Sequence, residues 1–181
     1  RVATPEGWQQ AYVQFCAAGW LGLSLPVEFG GQGLPKLVST PVMEMWNAAN
    51  MAFTMLPILN QGQAEALRIA ASAEQKRTWL PKVVSGEWGS TMNLTEPQAG
   101  SDLAATRTRA EPQADGSYKL FGQKIFISYG EHELTPNIVH LVLARLPDAP
   151  AGVKGLSLFI VPKFLVEPDG SLGARNDVRC I

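Results

Sequence analysis

The chain has 181 residues, of which 46% are hydrophobic and 17% are charged, a composition that supports two small domains and excludes a disordered segment. Its 15 Lys and Arg residues against 16 Asp and Glu residues give a formal net charge of −1, which argues against nucleic acid as a partner. The two cysteines, Cys16 and Cys180, are too few for a disulfide framework and predict a cytoplasmic location. With only two histidines besides, no metal site is expected.

The longest uncharged run lies between Glu44 and Glu65, and Asn, Gln and Pro residues interrupt it. A bilayer helix needs about 20 mostly apolar residues, so no membrane span is expected. The chain opens at Arg1 without a methionine and stops at Ile181 in an alternating stretch. Both ends predict a piece of a longer protein, and any targeting signal stays undetermined.

The first quarter of the sequence predicts one amphipathic helix followed by an irregular connection. Thr4, Pro5 and Glu6 form a favourable helix start, because Thr can accept an orphan amide hydrogen bond and Pro is tolerated at the first position. Gly19 provides a stop, and residues 20–35 contain too many Gly and Pro residues for a regular element.

A helical pattern resumes over residues 35–50, and a third helix is predicted over 51–71 with interruptions near Pro57 and Gly62. Buried positions are expected at Met43, Met45 and Trp46.

Residues 72–75 have the form of a capping box and open a short helix that Gly86 ends. Beyond Gly86 the pattern changes to strands separated by turn residues. The predicted strand segments are 106–110, 118–121, 124–129, 138–143 and 156–161. A helical block followed by a strand block predicts an α+β protein with an all-α domain over 1–88 and an antiparallel β domain over 89–181.

The most informative stretch runs from Met92 to Asp102 and reads MNLTEPQAGSD. A strand edge presents amides and carbonyls in a row that can bind a planar heteroaromatic ring. The turn at 100–102 adds amides and a hydroxyl that suit a diphosphate. From the residues alone, a strand leading into a Ser/Asp cap is equally expected, so both interpretations stay open.

This stretch resembles the flavin-binding signature of the acyl-CoA dehydrogenases. Three further segments, at 26–34, 74–87 and 122–128, resemble other blocks of that family in the same order. The resemblance implies an α-helical N-terminal domain, a middle antiparallel β-barrel-like domain and a C-terminal helical bundle that is absent from these 181 residues. It also implies FAD as the cofactor.

The resemblance gives roles to residues of the first motif. Backbone groups of Met92 and Leu94 and the hydroxyl of Thr95 are expected to hold the pyrimidine edge of the flavin. Gly100 and Ser101 are expected to contact the flavin diphosphate, and Ser101 also the CoA thioester arm or its phosphates.

The second motif is expected to form another flavin-contacting strand. Phe126 would pack on the ring system, Ser128 would reach N5, and Ile127 is also expected to contact the flavin. The QAGSDL wording and residues 130–150 are similar to a branch that acts on methylmercaptopropionyl-CoA and related acyl thioesters.

The implied reaction is α,β-dehydrogenation of an acyl-CoA thioester with hydride transfer to flavin N5. The base must lie across the substrate from the flavin, and the family places it on a C-terminal helix, so no catalytic acid or base is assigned here. The family also implies a homodimer or homotetramer and an electron-transfer flavoprotein as acceptor. The isolated 181-residue chain is expected to bind FAD weakly and to be inactive.

Three ionisable residues near these motifs are interpreted structurally. Glu96 is expected to fix the turn, His140 to be satisfied inside the β domain, and His132 to be exposed in a loop. Two alternatives to the dehydrogenase remain: an oxidase-like flavoenzyme of the same fold that uses oxygen, and a non-catalytic binding module.

Overall fold

The computed structural model describes residues 2–181, in which a helical block precedes a strand block. The helices are α1 (Trp8–Ala17), α2 (Lys36–Ala70) and α3 (Ala73–Val84). The strands are β1 (Trp88–Asn93), β2 (Arg109–Pro112), β3 (Tyr118–Phe121), β4 (Asn137–Arg145), β5 (Leu156–Pro162), β6 (Phe164–Val166) and β7 (Leu172–Arg175). No helix among these residues is long and apolar enough to cross a bilayer.

The chain forms two compact units whose segments alternate along the sequence. The first contains the residues up to Thr91 together with Ser128–Val139 and Pro162–Ile181, and the second contains Met92–Ile127 and His140–Val161. The division into domains at 1–88 and 89–181 therefore stays a prediction.

Helix α1 begins four residues after the predicted cap. Gly7 precedes the helix in the left-handed conformation at φ 82° and makes no side-chain cap. Thr4 instead donates from both its amide and its hydroxyl to Glu133 Oε1, each at 2.6 Å. Thr4 thus connects the N-terminal segment to the loop that contains Glu133, which belongs to the same unit.

Helix α2 has a break at Asn50 and continues through Pro57 and Gly62, where interruptions were predicted. Asn50 has φ −162° and ψ 93°, and its side-chain oxygen accepts from the amide of Phe53 at 3.0 Å. The break is therefore an internal cap that starts a second helical segment. Met45 is 67% exposed, so its predicted burial is wrong.

The predicted capping box at the start of α3 is confirmed. Ser72 Oγ accepts from the amide of Gln75 at 3.2 Å, and Gln75 Oε1 accepts from the amide of Ser72 at 2.9 Å. Gly86 adopts φ 78° just after the helix, which only glycine does without strain.

A buried amide links the helices to the first strand. Asn60 is fully buried in α2, and its Nδ2 donates to the carbonyls of Val83 and Trp88, both at 2.9 Å. Asn60 thereby joins the end of α3 to the start of β1, and β1 leads into the first motif.

The main sheet is mixed and open, so the expectation of an antiparallel, barrel-like domain is wrong in both respects. Its strand order is β1-β4-β2-β3, with β5 also paired to β4. Strand β2 is antiparallel to β3 but parallel to β4, where Arg109 pairs with Arg145. Strand β3 returns the chain antiparallel to β2, so β4 can run parallel to β2 on its other side. Strands β6 and β7 form a separate antiparallel hairpin.

Replacing Asn60 by Ala removes two buried hydrogen bonds and leaves two buried carbonyls without that donor. We expect Asn60→Ala to lower the free energy of unfolding by about 2–4 kcal/mol, measured by urea denaturation. Gln9→Ala, at an exposed position of α1, should change it by no more than about 0.5 kcal/mol. Equal effects of the two substitutions would contradict this role of Asn60.

Candidate functional site

The first motif leaves a row of polar groups just beyond β1. Met92 lies in β1, and Leu94 and Thr95 follow its end; all three are half-buried. The carbonyl of Thr95 accepts from the amide of Ile125 at 2.9 Å. Within the described part of the chain, neither the amide nor the hydroxyl of Thr95 has a hydrogen-bond partner. These two groups are free to bind a ligand.

Glu96 fixes the turn that follows, as expected from the sequence. Its backbone pairs reciprocally with Ala99, at 2.9 and 3.0 Å. Its buried carboxylate accepts from the amides of Arg107 and Thr108 at 2.8 and 3.0 Å, and also from the Thr108 hydroxyl and the side chain of Gln98. The carboxylate thus holds the next segment of the chain against the turn.

A buried ion pair connects the two motifs. Lys124 Nζ lies 2.8 Å from Glu96 Oε1 and 3.0 Å from the carbonyl oxygen of Leu94. The two side chains are 7% and 3% exposed. Burial by itself raises the pKa of Glu96, but the hydrogen bonds from Lys124, Thr108 and the two amides outweigh it and lower the pKa to about 2.

The turn at Gly100 and Ser101 is open on its outer side. Both residues are exposed, and a Cβ added to Gly100 would meet no atom within 4 Å. Asp102 accepts from the amide of Ala104 at 2.9 Å, which is the capping role that the sequence left open. The amides of Gly100 and Ser101 have no acceptor within residues 2–181, so the anion-binding interpretation is compatible with the same turn.

The second motif is irregular, and its predicted strand over residues 124–129 is wrong. Phe126 and Tyr129 have φ of 58° and 55°, in the left-handed region that bulky residues rarely adopt. Two such residues interrupt any extended run, whatever its content of aromatic and branched side chains. Ile127 is half-buried and Ser128 is exposed.

Contacts within the first unit hold Tyr129 in its strained conformation. Its hydroxyl donates to the carbonyl of Ala52 at 2.6 Å, and its ring lies edge-on to His132 with centroids 5.4 Å apart. Phe126 is 90% exposed and makes no ring contact with any described residue. Strain of this kind costs about 1–3 kcal/mol per residue.

The second unit contains most of the predicted cofactor residues, namely Met92, Leu94, Thr95, Gly100, Ser101, Phe126 and Ile127. Ser128 begins a segment of the first unit. The hydrogen bond between Ile125 and Thr95 brings the two motifs side by side as far as Ile125. The position of Ser128 at flavin N5 stays a prediction.

Sequence reasoning missed Lys124 and misplaced one histidine. A lone Lys among aromatic and branched residues, with a Glu in the other motif, was the available signal for a buried pair. His132 is 3% exposed, so its predicted exposure is wrong; burial lowers its pKa to about 4, and its Nδ1 accepts from the amide of Leu134 at 3.2 Å. His140 is buried, as expected.

Comparison with known proteins identifies the family. The "Acyl-CoA dehydrogenase, N-terminal domain" profile matches residues 3–87, and the "Acyl-CoA dehydrogenase, middle domain" profile matches residues 91–177. The chain belongs to the acyl-CoA dehydrogenase family.

Individual members of the family share both sequence and fold with the chain. It is 54% identical, over all of its length and 31% of the relative's, to 3-methylmercaptopropionyl-CoA dehydrogenase of Ruegeria pomeroyi. The solved glutaryl-CoA dehydrogenase of Mycobacterium smegmatis matches with a TM-score of 0.72 at 28% identity, covering 87% of this chain and 38% of that one. An acyl-CoA dehydrogenase of Bacillus anthracis complexed with FAD matches with a TM-score of 0.69 at 28% identity, covering 86% and 25%. The chain thus spans between a quarter and two fifths of the length of these acyl-CoA dehydrogenases.

The two strained aromatic residues should respond differently to truncation. Phe126→Ala removes a side chain that is 90% exposed and is expected to change the free energy of unfolding by no more than about 0.5 kcal/mol. Tyr129→Ala removes a ring contact and a hydrogen bond to a carbonyl and should cost about 2–4 kcal/mol. Thermal or urea denaturation of both variants measures the difference. A large loss for Phe126→Ala would show that its side chain supports the fold.

Proposed function

We propose that the chain forms the flavin side of the active site of an acyl-CoA dehydrogenase that catalyses α,β-dehydrogenation of an acyl-CoA thioester. The observation that carries the proposal is the pair of Thr95 groups that no described residue binds, beside an exposed, strained Phe126, together with the open amides of Gly100 and Ser101. Free donors, a strained backbone and an unpacked aromatic ring do not stabilise the fold, and their combination therefore supports a ligand-binding role.

The residues present fit FAD. The amide and hydroxyl of Thr95, with backbone groups of Met92 and Leu94, would bind the pyrimidine edge of the ring, and Phe126 and Ile127 would pack beside it. Gly100 and Ser101 would bind the diphosphate, where no side chain blocks the approach. Ser128 would face N5. FAD, when bound, supplies the hydride-accepting atom.

The residues of the second unit bind and orient, and we assign the proton abstraction to none of them. Glu96 is the carboxylate nearest to Thr95 in sequence, but its oxygens accept from Lys124, Thr108 and backbone amides. Its pKa of about 2 also makes it too weak a base for an α-proton at neutral pH. The base therefore comes from elsewhere in the protein, on the far face of the substrate.

Substrate and partners follow from the relatives as proposals. The 54% identity to a 3-methylmercaptopropionyl-CoA dehydrogenase supports a short acyl-CoA with a thioether, with Ser101 contacting the CoA portion. An electron-transfer flavoprotein would reoxidise the enzyme, and the full-length protein would be a homodimer or homotetramer.

Anaerobic titration of the full-length protein tests the proposed function. The purified protein should contain FAD, and 3-methylmercaptopropionyl-CoA or butyryl-CoA should bleach its visible absorbance while forming the enoyl thioester. Rapid peroxide formation in air would indicate the oxidase-like alternative. The absence of both bound FAD and bleaching would contradict the proposal and favour a binding module.

The same titration on the 181-residue chain alone should show weak FAD binding and no turnover. The chain covers 31% of the length of the 3-methylmercaptopropionyl-CoA dehydrogenase relative, and we propose that the remainder of the protein supplies the base. Stoichiometric FAD retained after dialysis would contradict the expectation of weak binding.

Gly100→Ala isolates the diphosphate contact. The added methyl group meets open space, so the free energy of unfolding should stay within about 0.5 kcal/mol of the parent value. The same methyl group would prevent the close approach of a phosphate to the backbone, so FAD affinity should fall about tenfold. Gly62→Ala in α2 is the matched control. It also meets no neighbour, and should stabilise the helix by about 0.5–1 kcal/mol without weakening FAD binding. Unchanged FAD affinity in Gly100→Ala would place the diphosphate elsewhere.

A further inference from the structure

Lys124 makes a second contact besides the one with its counter-charge. A buried ammonium needs a counter-charge, and Glu96 Oε1 provides it at 2.8 Å. The same ammonium also donates to the carbonyl of Leu94 at 3.0 Å. This second contact places the positive charge of Lys124 against a backbone carbonyl of the first motif.

The carbonyl of Leu94 and the amide of Thr95 belong to one peptide group. A cation at the oxygen draws electron density away from the nitrogen, which strengthens the N–H as a hydrogen-bond donor. The N–H of Thr95 has no acceptor in the part of the chain that the structure describes. It is thus a polarised donor that faces no partner of its own chain.

The next residue, Ile125, fixes the other side of the same donor. Its amide donates to the carbonyl of Thr95 at 2.9 Å. Consecutive residues of the second motif therefore hold the carbonyls on both sides of the Thr95 N–H. The direction of that N–H is set before any ligand arrives, which removes the cost of orienting it later.

The long-range field of the ammonium is weak at this site. The Glu96 carboxylate neutralises it, so the charge acts on its surroundings mainly through the short contact to the Leu94 carbonyl. A change at Lys124 should therefore affect groups bonded to the Leu94–Thr95 peptide far more than groups elsewhere in the unit.

We propose that Lys124 is a positioning residue that raises the reduction potential of the bound flavin by polarising and orienting the Leu94–Thr95 peptide. The inference rests on the proposed function, since it requires flavin at the Thr95 edge. Reduction places negative charge on the pyrimidine edge of the ring. A stronger donor there binds the reduced form more tightly than the oxidised form, and this difference raises the potential.

The test compares variants of the full-length flavoprotein. Removing Lys124 alone would strand a buried carboxylate, so the informative variant is Lys124→Met combined with Glu96→Gln, which removes both charges. Its preference for reduced over oxidised FAD should fall about tenfold, which equals a potential lower by about 30 mV for a two-electron couple. Lys124→Arg keeps the positive charge and should retain most of the parent's preference for reduced FAD.

The matched control is Lys163→Met combined with Glu131→Gln. These residues form an ion pair in the first unit, and neither touches the Leu94–Thr95 peptide. This variant should keep the parent potential. Where FAD binds too weakly for a direct measurement of the potential, separate titrations with oxidised and with reduced FAD give two dissociation constants. Their ratio reports the same preference for the reduced form.

The outcomes separate the inference from the proposed function. Parent protein without FAD would refute the proposed function itself. Parent protein with FAD, but with equal small shifts in the Lys124 and Lys163 double variants, would overturn the role of Lys124 alone. A Lys124→Arg shift as large as that of the Lys124 double variant would overturn it as well, because the charge would then have no part in the effect.

Discussion

The buried ion pair between Glu96 and Lys124 is the interaction on which the candidate site depends. It joins a turn after β1 to a segment that has no regular secondary structure and therefore no ladder of its own. Removing one partner of such a pair typically costs about 3–5 kcal/mol, because the other charge stays buried without compensation. The pair thus fixes these two irregular segments against each other.

Around this pair the chain leaves several groups unused by its own fold. Thr95 has two polar groups without a partner among residues 2–181, and a Cβ added at Gly100 would meet no atom within 4 Å. Phe126 is held in a strained conformation with its ring in solvent. A buried ion pair surrounded by unsatisfied groups is the arrangement expected of a preorganised ligand site. The match to the acyl-CoA dehydrogenase middle domain supports FAD as the ligand that we propose for it.

Local sequence chemistry predicted the features that depend on few residues. The capping box at Ser72 and Gln75 follows from two side chains three residues apart, and the change from helices to strands follows from a change of period. The role of Glu96 in the turn also followed from its place before Pro97. The identity of the family came from motif resemblance over nearly the whole chain.

Features that depend on distant contacts could not be predicted in this way. Helix α2 continues through Pro57, where an interruption was expected, although its break at Asn50 matches the predicted boundary between residues 35–50 and 51–71. The residues at 124–129 have strand composition, yet two left-handed conformations override it. His132 is buried by packing that no local pattern reveals. The parallel pairing of β2 with β4 likewise joins residues that are far apart in the sequence.

Hydrogen exchange at the amide of Ile125 tests most directly whether the buried pair locks the two motifs together. This amide bonds to the carbonyl of Thr95 outside any strand of the described residues, so its exchange reports how firmly the neighbouring Lys124–Glu96 pair holds this segment closed. We expect exchange in the native protein to be slow and to become fast when Lys124 and Glu96 are replaced by Met and Gln together. Exchange in the unsubstituted protein as fast as that of an exposed loop amide would contradict the account.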